Sequence, residues 1–224
     1  MTSAEDSPFT GERSAAFDGV SGYVEASALS APETNRTLEA WIYIKTTNKF
    51  MAILASGYDH IKSPFAFYVR PNSSTNGFAA RFNFDGKDRS IFFGDSRTTN
   101  MWIHVAAVSS GTNLSGYVNG QLFSDPLAGV ASAVAENLYV RIGYQSTLSG
   151  VTNFDGSISD VRIWNVARTP AEIQANYTNR LTGTEPGLVG YWRLDERGTT
   201  SSPIDAGPFN LDNPIIHPTY MEAF

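Results

Sequence analysis

From Ser14 onward the chain alternates apolar and polar residues over short stretches, and Gly, Pro, Asn, Asp and Ser interrupt the alternation at roughly 8–12-residue intervals. The period of two predicts strands at Ser14–Phe17, Gly22–Ala26, Thr37–Lys45, Met51–Ser56, Phe65–Arg70 and Gly77–Phe84. It predicts more at Arg89–Phe93, Trp102–Ser109, Asn113–Val118, Leu138–Tyr144, Gly156–Trp164 and Gly187–Arg193. Asn119-Gly120 and Asp85-Gly86 are hairpin signals, because both pairs accept positive φ. One segment changes period. Thr169 is placed as an N-cap, Pro170 takes the first helical position and Glu172 completes a capping box, which predicts a helix running to about Asn179 and ending before Gly183. Many short strands with one helix imply an all-β, antiparallel sandwich or barrel.

Composition narrows this picture. A chain of 224 residues suits one large β domain and is long enough to bury its own core. With no cysteine there is no disulfide framework, thiolate nucleophile or Cys zinc site. The formal charge of -6 argues against a nucleic-acid partner, which needs a concentrated basic surface. No apolar run approaches the length of a membrane span, and the polar start Met1–Pro8 lacks the basic and apolar regions of a signal peptide. Residues 1–12 read as a flexible lead-in, 13–197 as one domain, and the proline-rich tail 198–224 as a segment packed on that domain.

Candidate chemistry is sparse. Tyr58 and Asp59 sit in a loop, Tyr68 and Arg70 share one parity of a strand, and Arg81 and Asn83 share one parity of the next. On one sheet face these residues would make a strip of rings and paired polar groups of the kind a sugar needs; the competing reading is an ordinary solvated face. The opposite parity, Phe65, Phe67 and Val69 with Phe78, Phe82 and Phe84, is then core. Trp41, Trp102, Trp164 and Trp192 are expected as core anchors. No Glu-x-Asp-x-x-Glu run stands on a strand, and Glu39 offers only the first member of such a triad. The expectation is therefore a protein that is not an enzyme. Asp160 stands out as a carboxylate inside a strand, which needs a cation or hydrogen-bond donors to be tolerated.

Five pieces in fixed order carry a resemblance: Phe17-Asp18-Gly19 with Tyr23-Val24-Glu25; Thr37-Leu38-Glu39-Ala40-Trp41-Ile42; Trp102-Ile103-His104-Val105-Ala106 with Gly116–Gly120; Phe154-Asp155-Gly156 with Asp160–Trp164; and Gly187–Trp192. Over about residues 13–196 the chain resembles the laminin G-like, concanavalin A-like jelly rolls of the bacterial, pentraxin-related subgroup. The resemblance implies two antiparallel sheets, frequent carbohydrate binding and often a calcium ion. By that resemblance Asp160 would share a calcium with Asp18 and with carbonyls near Gly19 and Gly22. The residues themselves leave a second reading open, in which Asp160 pairs with an arginine such as Arg162. The expected function is a lectin-like module for a glycan or cell-surface polysaccharide, outside the cell, with homo-oligomers compatible. The alternatives are a structural module of an adhesin, fibre or toxin assembly, and a divergent glycoside hydrolase.

Overall fold

Alternating side chains can bury one face of a strand, so a chain patterned in this way must stack two sheets with the apolar parity between them. The computed structural model describes residues 7–29, 35–46, 48–56, 64–70, 77–84, 87–94, 99–110, 113–128, 138–147, 150–195, 215–216 and 221–222. Its strands are β1 (Ala15–Asp18), β2 (Val24–Leu29), β3 (Asn35–Ile44), β4 (Met51–Ser56), β5 (Phe65–Arg70), β6 (Gly77–Phe84), β7 (Lys87–Phe93), β8 (Trp102–Ser110) and β9 (Asn113–Val118). After these come β10 (Gln121–Ala128), β11 (Leu138–Ile142), β12 (Ser146–Thr147), β13 (Gly150–Val151), β14 (Asp155–Trp164), the helix α1 (Pro170–Asn176), β15 (Leu188–Trp192), β16 (Ile215–Ile216) and β17 (Met221–Glu222).

An eight-stranded sheet runs β10-β9-β8-β3-β14-β1-β17, with β15 also paired to β14, and a seven-stranded sheet runs β16-β2-β11-β4-β5-β6-β7. Both are antiparallel throughout. Between them lies the core, in which Phe17, Phe65, Phe67, Phe78, Phe93, Phe154 and Trp192 interdigitate with Leu38, Ile42, Ile44, Val105 and Ile158. This is the antiparallel sandwich that the pattern predicts, and its two sheets fit the jelly roll that the resemblance implies. Phe65, Phe67, Val69 and Phe78 are on the core parity as expected, while the side chains of Phe82 and Phe84 lie outside the described residues.

The eight-stranded sheet hides its outer face as well. Thr169 accepts the Glu172 amide, Glu172 returns a carboxylate to the Thr169 amide at 2.7 Å, and α1 starts there as the sequence requires. Its one buried residue, Ile173, packs against Ala106, Val108 and Tyr117 on the outside of β8 and β9. The helix stops at Asn176, three residues before the expected end. The carbonyls of Asn176, its last residue, and of Asn179 just beyond it accept from the Arg162 guanidinium. The tail contributes Ile215–Ile216 beside β2 and Met221–Glu222 beside β1.

Candidate functional site

The outer face of the seven-stranded sheet is built in rows. Register sets Glu25, Arg141, Ala55, Ala66, Arg81 and Ser90 side by side across β2, β11, β4, β5, β6 and β7. A second row sets Ala52, Tyr68, Ala79 and Phe92 across β4 to β7. Alanine in the middle of both rows makes a low floor. Ala52, Ala55 and Ala66 are fully buried, and Ala79 and Tyr68 nearly so, so a ligand on this face meets the rim before the floor.

That rim carries an aromatic ribbon at the end of the sheet where β2 and β4 begin and β11, β5 and β7 finish. Tyr23 and Tyr144 stack at 4.7 Å between centroids. Arg141 lies over both rings, with its Cζ at 5.5 and 5.4 Å from their centroids, and its Nε donates to Glu25 at 2.7 Å. Burial raises the Tyr23 phenol pKa against the opposing pull of Arg141, so the ring stays neutral. Next along the ribbon, Gln145 accepts from the Tyr68 hydroxyl, and Phe50 packs on Tyr68 at 4.7 Å. At the far side Arg70 sits over Phe92, Cζ to centroid 4.7 Å. Phe50 is 36% exposed and Phe92 49%, so the ribbon offers ring faces to solvent.

Of the residues expected to make a strip, Tyr68 and Arg70 belong to this ribbon. Arg81 pairs with Ala66 and Asn83 with Asp88, one step toward the opposite end of the sheet, and their side chains lie outside the described residues. Tyr58 and Asp59 also lie outside them. Tyr23, Phe50, Phe92, Arg141, Tyr144 and Gln145 went unpredicted. Arg141 follows the period-2 pattern of β11, but its partner Glu25 is 116 residues away, and only strand register joins them.

The residues expected to share a calcium are each engaged by other groups. Asp160 is buried against the guanidiniums of Arg162 and, at 3.1 Å, Arg180, and it accepts the Tyr191 hydroxyl at 2.7 Å. A dication there would stand beside two cations. Asp18 accepts the amides of Val20 and Ser21 at 2.8 and 3.0 Å and that of Gly22 at 3.4 Å, which commits it to its own turn. Asp18 pairs with Asp155 on β14, five residues from Asp160, or about 17 Å along a strand. Asp18 and its turn therefore stand apart from Asp160 along the sheet. Among the described residues, no group of three or more His, Asp or Glu is placed to hold a metal.

Glu39, the other candidate acid, is locked in a related network under α1. It is fully buried, 2.8 Å from Arg168, 3.3 Å from His104 Nε2 and 3.6 Å from Arg162. Burial alone would raise its pKa; the His104 contact and the Arg162 and Arg168 charges outweigh burial and hold it at about 2. Burial pushes His104 down, which keeps the imidazole neutral. Trp192 and Trp164 are buried as expected, but Trp41 and Trp102 are only half-buried. Trp41 donates to the Tyr177 carbonyl at 2.9 Å, and Phe9 covers one edge of its ring.

A family model described as the concanavalin A-like lectin/glucanases superfamily matches residues 18–174. No curated protein sequence matches. Among solved structures, a Bacteroides ovatus protein described only provisionally as carbohydrate-binding aligns with a TM-score of 0.69 at 18% identity, over 92% of this chain and 60% of that one. The present chain thus spans about three fifths of that protein's length. A heptameric SAP-like pentraxin from Limulus polyphemus aligns with a TM-score of 0.63 at 15% identity, over 93% of both chains. The CBM40 of a Ruminococcus gnavus IT-sialidase, solved with α2,3-sialyllactose bound, aligns with a TM-score of 0.55 at 17% identity, over 73% of this chain and 96% of that one. At these identities the likeness is one of fold.

Proposed function

Because the chain belongs to the concanavalin A-like lectin/glucanases superfamily, we propose that it is a non-enzymatic module that binds a glycan outside the cell through the outer face of its seven-stranded sheet. The observation that carries this reading is the ribbon of exposed rings flanked by arginines, since sugars stack their CH faces on rings while their hydroxyls need paired donors and acceptors. That two solved neighbours are described as carbohydrate-binding, one only provisionally, supports it. The non-enzymatic part rests on the carboxylates. Glycosidases place two about 5–9.5 Å apart across the bond they cut, whereas Glu25 is the only carboxylate among the described side chains of the ribbon and Glu39 is sealed beneath α1. Glycan-array binding followed by calorimetry tests the proposal. Tyr144→Ala and Phe92→Ala should each weaken binding about 2- to 13-fold, the cost of one aromatic stack, with and without chelator. Binding unchanged in both variants, or reducing-sugar release from a bound polysaccharide, would defeat it.

One observation favours a second reading, an interaction module. β10 closes the eight-stranded sheet, and Gln121, Leu122 and Phe123 are all exposed along it. An uncovered apolar edge is a template for pairing. Light scattering on the wild type and on Phe123→Lys tests it: a wild-type oligomer that Phe123→Lys dissociates supports this reading, and a monomer at all concentrations removes it.

A further inference from the structure

On the glycan-binding reading above, we infer that Arg70 is the contact for a carboxylate, so that the ligand is an acidic glycan. Most arginines whose contacts are described are spoken for, Arg36 over the Phe65 ring among them. Arg141 serves Glu25, Arg162 serves Asp160 and Glu39, Arg168 serves Glu39, and Arg180 and Arg193 share Glu12 and Asp195. Arg70 is half-buried at the end of β5, and its guanidinium lies on the face of Phe92. Among the described residues no carboxylate or carbonyl accepts from it. Phe92 is an exposed ring on the edge strand β7 whose visible role is to seat that guanidinium.

A guanidinium carries five donors in a planar fork that fits a carboxylate bidentately, and stacking on a ring leaves the fork's edge available. Arg70 is one strand spacing from β4 and two from β11, about 5 and 10 Å, so rings on Phe50 and Tyr144 would hold neighbouring sugars while Arg70 takes the acid. At a net charge of -6 the chain repels an acidic polymer at long range. Selectivity for the acid must then come from contact, and among the described side chains of this face Arg70 is the contact on offer.

The test uses the full chain and calorimetry with oligogalacturonate, alginate oligomers and α2,3-sialyllactose, each beside its carboxyl-reduced form, and with a sulfated, carboxyl-reduced heparin fragment. At least one acid should bind about 10- to 100-fold more tightly than its reduced form, the worth of a charged hydrogen-bonded pair. Arg70→Gln should erase that ratio, bringing the acid down to the affinity of its reduced form, with the melting temperature unchanged. Arg70→Lys, which keeps the charge and loses the fork, should retain part of it. Equal binding of acid and reduced forms, or an Arg70→Gln variant that still discriminates, overturns the role of Arg70 and leaves glycan binding standing. Preference for the sulfated fragment overturns the carboxylate. Binding of no probe, acidic or neutral, overturns both.

Discussion

Replacing Glu39 by Gln should destabilise the protein severely without touching ligand binding, and the structure sets the size. The carboxylate is fully buried and serves Arg168, Arg162 and His104, so the substitution leaves buried Arg168 without a carboxylate, while Arg162 keeps Asp160. Breaking a buried pair from one side costs about 3–5 kcal/mol. An independent figure comes from titration. Glu39 has a pKa of about 2 in the fold against an ordinary 4.5, and that gap is worth roughly 3 kcal/mol. Its sign follows from proton binding: between these values the unfolded chain holds the proton and the folded chain does not. The stability is therefore fully present above about pH 4.5 and is lost as pH falls through about 2. For a domain of this size the melting temperature should drop by about 6–20 °C at neutral pH. Thermal melts by circular dichroism from about pH 7 down to about pH 2 should show the gap between wild type and Glu39→Gln closing below the carboxylate's ordinary range. Equal melting temperatures at neutral pH, or a gap that stays constant into acid, would refute the account.

Other outcomes follow from single contacts. Tyr191→Phe removes the 2.7 Å donor to Asp160 and should cost about 1–3 kcal/mol in chemical denaturation. Thr169→Ala removes the cap of α1 and should cost about 1 kcal/mol, while Thr169→Ser should be near neutral. Gly156→Ala should fail to fold, because at φ +146° a Cβ would collide with the Tyr43 carbonyl oxygen; soluble expression with a wild-type melt would contradict this. Asp160→Asn should lower the melting temperature equally in calcium and in chelator, and a loss seen only with calcium would restore the ion.

The frame of the fold was legible because each strand carries its own period. β3, β8 and β14 lie within two residues of where alternation puts them, and α1 begins on its capping box. The end of α1 was not legible, because Arg162 takes the carbonyls there from a strand that the helical pattern cannot see. Asp160 was visible as an anomaly, and one of its two readings, the arginine partner, is what the fold holds. Arg180 and Tyr191 add to it from 20 and 31 residues away. The site was half legible for the same reason. Tyr68 and Arg70 share a strand, so parity groups them; Tyr23, Tyr144 and Phe92 join them only through pairings between strands far apart in the chain.

Asp160 has one further effect. It holds φ +55° in the middle of β14, where pairing to β3 slips between Ser159 and Arg162. Before it β14 pairs with β1, ending at Ala15–Ile158; after it β14 pairs with β15, starting at Val161–Trp192. Both partners run antiparallel to β14, so β15 and β1 lie head to tail along one edge, and the Arg193 carbonyl accepts the Asp160 amide in the gap. They are two halves of one interrupted strand. The fold therefore has a ready place for circular permutation, where a short bridge from Leu194 toward Arg13 would make that strand continuous and new termini could open in a distant hairpin.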